Sequence, residues 1–264
     1  DLDLLAPKSS YQYPNRSALP AGRELLAGWL SSNDFRDITQ KQQAIRELTP
    51  RVDWRQNYRA TARLIHTPFS TAELTSWFSK YQQKIPAWTG YLPTAFSILS
   101  VVAGILVALQ ILPLGVLIAL FFIGLLISLP FAKRIGELAQ NTGKMQDTFS
   151  QYGRLVAQIE AEAFESEALK EARSVLSGQG TVVSVILKRF SRVIGALDQR
   201  NNLIIALFGN AFFLWDIRQA RAVENWIAIH GDDVGNWFDA LARFDALNSL
   251  ANFARNHPNY TYPE

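Results

Sequence analysis

The chain is 264 residues long, 48% hydrophobic and 19% charged, a composition that is typical of a folded protein and excludes a disordered one. Its formal net charge of +3 is too small to indicate a nucleic-acid or lipid partner by itself. The absence of cysteine excludes disulfides, thiol nucleophiles and cysteine-ligated zinc, and three widely separated histidines (His66, His230 and His257) do not predict a metal site.

Four short helices are predicted ahead of the apolar region. They run from about Pro20 to Leu30, Thr39 to Leu48, Trp54 to Ile65 and Thr71 to Lys84. Pro20 suits a first helical turn because its missing N–H has no partner to lose there. Pro50 ends the second helix, and Asp53 is the expected N-cap of the third.

No charged residue lies between Lys84 and Lys133, a run of 48 residues. About 20 apolar residues are needed to cross the hydrocarbon core of a bilayer. Leu92–Gln110 and Leu114–Phe131 each come close to that length, and the proline and glycine of Gln110–Gly115 mark a turn between them. The sequence therefore predicts a transmembrane helical hairpin.

The residues that flank this hairpin indicate its orientation. Lysine and arginine lie at both outer ends and none lies at the turn, so the positive-inside rule predicts a membrane-anchored protein with its soluble part in the cytoplasm. The predicted membrane-interface anchors are Trp88, Tyr91, Lys84, Lys133 and Arg134. The alternative is a soluble helical bundle in which the apolar hairpin is the core or an oligomer interface.

Long helices are predicted after the hairpin. Apolar positions from Ile135 to Ala163 alternate spacings of three and four, which is the a/d pattern of a coiled-coil seam. One helix is expected from Lys133 to about Leu176, followed by helices at about Val182–Asp198, Asn201–His230 and Asp233–Asn256. The predicted fold class is all-α: a helical lever or bundle with one long heptad-patterned helix and an apolar helical hairpin.

Passages near both ends of the chain resemble the MutS family. Asp3–Gln12, Asn15-Arg16 and Gly22–Leu30 are similar to the opening of the MutS core domain, roughly D-L-F-G-x-x-S-L-x-x-x-L-[DN]-R-T-x-T-x-x-G-x-x-L-L-x-x-W-L, and Ile38–Leu48 is similar to the next helix, I-x-x-R-Q-x-A-V-x-E-L. Phe244–Ala254 and Asn259–Glu264 resemble the last lever helix and the N-Y-x-x-P-E passage before the ATPase domain. The hairpin resembles that of the shorter, membrane-associated MutS-related proteins.

This resemblance implies three segments: the first part of the core domain (1–90), the transmembrane hairpin (91–132), and a lever helix with the rest of the core (133–264). It implies a domain III-like lever that anchors a DNA mismatch repair-type protein to a membrane and transmits motion to a downstream ATPase domain. In the family such proteins bind mismatched DNA and ATP. Since the chain starts at Asp1 without a methionine, we expect it to be a piece of a longer protein.

The chain lacks a phosphate loop of the form G-x-x-x-x-G-K-[ST]. Around Gly143 and Lys144, Leu138 and Met145 stand where glycine and Ser or Thr are required. We therefore expect no enzyme activity and no cofactor in this chain, with ATP and magnesium on the downstream domain. The expected partners are the membrane and that domain, and the sequence leaves a homodimer and DNA open.

Four arginines form a possible contact surface. Arg51, Arg55, Arg59 and Arg63 are spaced by four and so lie along one side of a helix. This arginine stripe predicts contact with nucleic-acid phosphates or lipid headgroups. The alternatives are a solvated face, or pairing with the acidic run Glu160, Glu162, Glu165, Glu167 and Glu171.

Overall fold

The protein is all-α, as the sequence predicts. The structure is a computed structural model that describes residues 12–32, 37–67, 69–178 and 182–262, and no strand lies within these ranges. Most of the MutS-like passage Asp3–Gln12 and the last two residues of Asn259–Glu264 lie outside the described residues.

The predicted short helices agree with the structure to within four residues at each end. The helices are α1 (Pro20–Ser31), α2 (Ile38–Leu48), α3 (Val52–Arg63), α4 (Thr71–Lys80), α5 (Leu92–Ala108), α6 (Gly115–Ser128), α7 (Ala132–Gly143), α8 (Gln146–Glu160), α9 (Glu167–Leu176), α10 (Val183–Asp198), α11 (Asn210–Phe213), α12 (Trp215–His230) and α13 (Val234–Asn256). Short 3₁₀ helices cover Ala87–Gly90 and Leu129–Phe131. Asp53 lies in the first turn of α3, whose N-cap is Arg51.

The chain forms two compact units, each assembled from segments that are distant in sequence. Unit 1 comprises residues 1–79, 148–188 and 232–264, and unit 2 comprises residues 80–147 and 189–231. The three consecutive segments expected from the family resemblance do not coincide with these units, and they stay a prediction about the organisation of the whole protein.

Helix α13 is the centre of unit 1. It packs against α1, α2 and α9. Six successive side chains of α13, from Phe244 to Ser249, are buried, so this part of the helix is enclosed on all sides. Asp239 and Arg243, earlier in the helix, are exposed. The ring of Phe244 lies 5.2 Å from that of Phe164, which in turn lies 5.5 Å from the ring of Trp54.

Unit 2 contains the apolar hairpin and the helices at its base. Helix α5 packs against α6, and α7 packs against α12. Phe190 of α10 stacks on Trp226 of α12 with ring centroids 3.8 Å apart. Both of these aromatic side chains are buried.

The predicted single helix from Lys133 to Leu176 is not continuous, although its predicted apolar seam is buried from Ile135 to Ile159. The a/d side chains from Ile135 to Ile159 are buried, while Ala163 is exposed. The structure divides the segment into α7, α8 and α9. The first break follows Gly143, where the Met145 N–H donates to the Thr142 carbonyl at 2.8 Å in a tighter turn.

The second break has a cause outside the segment itself. Glu47 of α2 accepts the N–H groups of Glu165 and Ser166, at 2.9 and 2.7 Å. Arg51 donates to the Ala163 carbonyl at 2.8 Å. These bonds capture backbone groups that a continuous helix would use internally, so α8 ends at Glu160.

The predicted helix Asn201–His230 is also interrupted. Leu214 adopts the left-handed conformation with φ of 48°, which a regular α-helix does not contain. Before it, Ile205–Gly209 forms a π-helical turn and α11 adds one further turn. Only α12 continues as a regular helix to His230.

We expect opposite effects from alanine at two glycines of α1. A Cβ at Gly22 would overlap the side chain of Asp245 on α13, whereas a Cβ at Gly28 would meet nothing within 4 Å. Gly22→Ala should therefore lower the free energy of unfolding by about 1–3 kcal/mol. Gly28→Ala should raise it by about 0.5–1 kcal/mol through helix propensity. Denaturant unfolding in detergent measures both, and an equal effect of the two changes would contradict the packing of α1 on α13.

Candidate membrane-binding surface and arginine stripe

The hairpin exposes apolar side chains along both of its helices. Ala87–Ala108 and Gly115–Gly143 are long and apolar enough to cross a membrane, and only 22% and 17% of an apolar 18-residue stretch within each is buried. Gln110 takes the left-handed conformation at the turn, with φ of 61°. The exposed large apolar residues of the hairpin are Ile98, Leu99, Val101, Val102, Ile105, Leu109, Ile111, Leu114, Ile118, Phe122, Ile123, Leu126 and Leu129.

Two hydroxyl groups inside the hairpin are satisfied by its own backbone. Ser97 donates to the Pro93 carbonyl at 2.6 Å, and Ser128 donates to the Gly124 carbonyl at 2.9 Å. The buried hydroxyl of Ser100 has no hydrogen-bond partner. With helical backbone groups also paired internally, these helices meet the main requirement for a lipid environment.

A further apolar segment packs on the hairpin, and the sequence analysis missed it. Residues 201–215 carry no charge, and from Leu203 to Trp215 only Asn210 is polar. Helix α11 packs against α5 and α6. The contact is close at Gly124, where an added Cβ would overlap the Ala211 carbonyl. The absence of charge in residues 201–215 could have revealed this segment. The prediction of one long helix from Asn201 to His230 hid it.

A buried carboxylate fixes the base of the hairpin. Glu224 of α12 has no exposed surface. Its oxygens accept hydrogen bonds from the Tyr81 hydroxyl at 2.9 Å, from the Lys84 N–H at 2.7 Å and from the Ile85 N–H at 3.3 Å. Burial and the nearby Glu224 raise the pKa of Tyr81, so its hydroxyl stays a donor. The chain entering the hairpin is thereby bound to α12.

The predicted anchors lie around this base. The Lys84 ammonium pairs with Glu137 at 2.9 Å, and Arg134 donates to the Lys84 carbonyl at 3.2 Å. Lys133 is exposed. Trp88 and Tyr91 are 66% and 87% exposed, which is unusual for aromatic side chains in a soluble protein. The structure thus brings these five residues to one end of the hairpin, and their role as membrane-interface anchors stays a prediction.

The arginine stripe does not form a uniform solvent-facing row. Arg51 pairs with Glu47 at 2.9 Å and with Glu162 at 2.6 Å. The alternative that the stripe pairs with the acidic run is therefore correct for this residue. Arg55 is only 6% exposed and donates to the Thr49 carbonyl at 3.1 Å. Arg63 is exposed.

Two arginines of the stripe line a small polar cavity in unit 1. Arg55 and Arg59 share it with Arg16, and its volume is about 120 Å³. Burial, and then repulsion from Arg255, lowers the pKa of Arg55; burial, and then Arg63 and Arg16, lowers that of Arg59. The side-chain Nε atoms of Arg55 and Arg59 are buried without a hydrogen-bond partner.

Asp245 is the carboxylate that faces this cavity. It accepts the N–H groups of Ala18 and Leu19, at 3.1 and 2.8 Å, and so joins the chain before α1 to α13. Burial raises its pKa to about 6, although the two amides, Arg23 and Arg59 act in the opposite direction. The same carboxylate contributes, after burial, to the raised pKa values of Tyr58 and Tyr152.

Comparisons with protein-family models, with curated proteins and with solved structures find no match. Within the described ranges, no three His, Asp or Glu side chains form a group that could hold a metal ion. A functional interpretation therefore depends on the surfaces described above.

Asp245 should make the stability of the protein depend on pH. Its carboxyl binds a proton more tightly in the folded protein, with a pKa of about 6, than at its ordinary value of 3.8. The contribution of Asp245 to the free energy of unfolding is thus greatest below about pH 4. It decreases by on the order of 3 kcal/mol as the pH rises to 6. Asp245→Asn should flatten the dependence across this window. Unfolding at pH 4, 5, 6 and 7 tests this, and parallel curves for the two proteins would contradict it.

Replacing Glu224 with its isosteric amide should destabilise the protein more than removing one of the donors to Glu224. In Glu224→Gln, an NH₂ group would replace one oxygen and face a backbone N–H, at a cost of about 1–3 kcal/mol. Tyr81→Phe removes only one donor and should cost about 0.5–1.5 kcal/mol. Thermal unfolding in detergent compares them. A Gln variant as stable as the Phe variant would argue against the three-donor arrangement.

Proposed function

We propose that this chain is the membrane anchor and lever region of a MutS-related, DNA mismatch repair-type protein. In this proposal the hairpin crosses the bilayer and the helices of unit 1 belong to a MutS-like core. Movement generated by a downstream ATPase domain would be transmitted through these helices. ATP and magnesium would bind to that domain and not to the residues of this chain.

The exposed apolar surface of the hairpin is the observation that carries the membrane part of the proposal. Soluble monomers rarely expose contiguous apolar patches larger than a few hundred Å². Here large aliphatic and aromatic side chains are exposed along α5, the turn and α6. The surface is free of charge, and each charged side chain inserted at the centre of a bilayer costs about 2.5–3.5 kcal/mol. Lipid is therefore a better surrounding than water for these two helices.

The proposed orientation follows from the charges at the base. Lys84, Lys133 and Arg134 lie at one end of the hairpin, and the turn near Gln110 has no charge. By the positive-inside rule, this base and the soluble part would lie in the cytoplasm. The exposed rings of Trp88 and Tyr91 would lie at the headgroup level, where aromatic belts occur.

The packing of unit 1 supports the family part of the proposal. The passages that resemble MutS are far apart in sequence, yet α1, α2 and α13 pack together. The Arg16 N–H donates to Ser249 at 2.6 Å, and Ser249 donates to the Pro14 carbonyl at 2.7 Å. These contacts join Asn15-Arg16 to the last lever-like helix, as a shared core domain requires.

DNA binding through the arginine stripe is the less favoured alternative. Arg51 is paired and Arg55 is buried, so a duplex would meet only part of the stripe. If the stripe did bind duplex DNA, replacing Arg55 and Arg59 with alanine would weaken all sequences alike and reduce the salt dependence.

The family part is tested by the gene sequence that follows residue 264. The proposal expects a strand followed by a phosphate loop of the form G-x-x-x-x-G-K-[ST]. A downstream sequence without this motif would refute a MutS-type ATPase, and it would leave the membrane part untouched.

The membrane part is tested by cysteine labelling, which is direct because the chain has no native cysteine. Ile111→Cys places a thiol at the turn, and Lys133→Cys places one at the base; both positions are exposed. In intact cells, a membrane-impermeant maleimide should label position 111 and not position 133. In inverted membrane vesicles the pattern should reverse. Labelling of both positions from one side would exclude a hairpin that crosses the bilayer.

A further inference from the structure

Residues Leu203–Phe213 combine an apolar composition with high exposure. Leu203 is 85% exposed, and Ile204, Leu207, Phe208 and Phe213 are also exposed. The segment also packs on the hairpin helices: the Phe121 ring centroid lies 5.9 Å from that of Phe212 and 6.0 Å from that of Phe208, which is half exposed. The exposed side therefore extends the apolar surface of α6, on which Phe122 is exposed.

The two ends of this segment lie side by side. Arg200 precedes the uncharged run and Asp216 follows it. The Arg200 Nε and an Asp216 oxygen are 3.6 Å apart. The two ends of the uncharged run therefore lie next to each other. Even as a continuous helix, the run would measure about 20 Å, which is shorter than the roughly 30 Å hydrocarbon core.

The segment packs on the part of the hairpin nearest the charged base. The Ser97 hydroxyl lies 3.4 Å from the Phe213 carbonyl, and Gly124 lies against Ala211. Ser97 is five residues from the start of α5 at Leu92, and Gly124 is seven residues before Phe131. At 1.5 Å per residue, these contacts lie about 8–10 Å along the hairpin from its base.

The polar side chain of the segment is satisfied inside the protein. Asn210 is buried, and its amide group donates to the Ala206 carbonyl at 2.9 Å. Its oxygen accepts the Asp216 N–H at 2.9 Å. Irregular backbone is tolerated at membrane depth where protein groups satisfy its hydrogen bonds. Asn210 provides such hydrogen bonds next to Leu214, where the backbone leaves helical geometry.

We propose that Leu203–Phe213 enters the bilayer beside the hairpin, from the side of Lys84 and Lys133, and returns without crossing. Its partner is the acyl-chain region of that leaflet, which it contacts through Leu203, Ile204 and Leu207. The inference rests on the proposed membrane insertion of the hairpin. The segment would be a second, shallow membrane contact. It continues into α12, and the Arg200–Asp216 pair holds its two ends together.

Depth-dependent fluorescence quenching tests this proposal. Single cysteines at Leu203 and at Leu207 are labelled with an environment-sensitive fluorophore, and the whole chain is reconstituted into phosphatidylcholine–phosphatidylglycerol vesicles. Spin-labelled lipids with nitroxides at shallow or deep acyl positions then report lipid contact and depth. Ile118→Cys on α6 is the positive control, and Ile229→Cys, 69% exposed near the end of α12, is the matched apolar control outside the segment.

The proposal expects lipid quenching at Leu203 and Leu207, stronger with shallow than with deep nitroxides, and little quenching at Ile229. Quenching at Ile118 without quenching at Leu203 and Leu207 would overturn it while leaving the hairpin in the membrane. No quenching at Ile118 would refute the proposed membrane insertion itself, and this inference with it. A blue-shifted signal at Leu207 that lipids do not quench, together with cysteine crosslinking between copies, would assign the surface to a second copy of the chain and would also overturn the proposal.

Discussion

The burial of Glu224 constrains how the polypeptide can enter its hairpin. A carboxylate without exposed surface needs hydrogen-bond donors to offset its lost hydration. All three donors come from residues 81–85, immediately before the hairpin. On the same helix, Arg221 donates to the Ile85 carbonyl at 3.3 Å. Helix α12 also begins one residue after Leu214. It is therefore bonded to the chain that enters the hairpin and is continuous with the apolar segment Leu203–Phe213.

The sequence predicted the features that depend on local composition. The all-α class, most helix bounds and the apolar hairpin follow from periodicity and from the absence of charge, which are properties of neighbouring residues. The heptad pattern even identified the buried side chains from Ile135 to Ile159. It could not reveal that the helix bearing them is broken. That break depends on Glu47 and Arg51, which are remote in sequence and capture the backbone near Ser166.

The arginine stripe shows the same limit at a candidate site. A spacing of four places side chains along one side of a helix, but it does not determine what lies opposite each of them. In the fold, Arg51 meets two carboxylates, Arg55 is enclosed and Arg63 stays in solvent. The cavity that Arg55 shares with Arg59 also needs Arg16 and Asp245, from two other parts of the chain. Only a tertiary structure can assemble such a set.

The close approach at Gly124 has a consequence for biosynthesis. Gly124 is translated well before Ala211, and ribosomes add about 5–20 residues per second. On the order of ten seconds therefore separates the two sides of this contact during synthesis. Throughout that interval, α5 and α6 are complete and can pair with each other while the surface at Gly124 is still uncovered. The later segment then meets a surface that is already formed, so the order of translation directs the order of assembly.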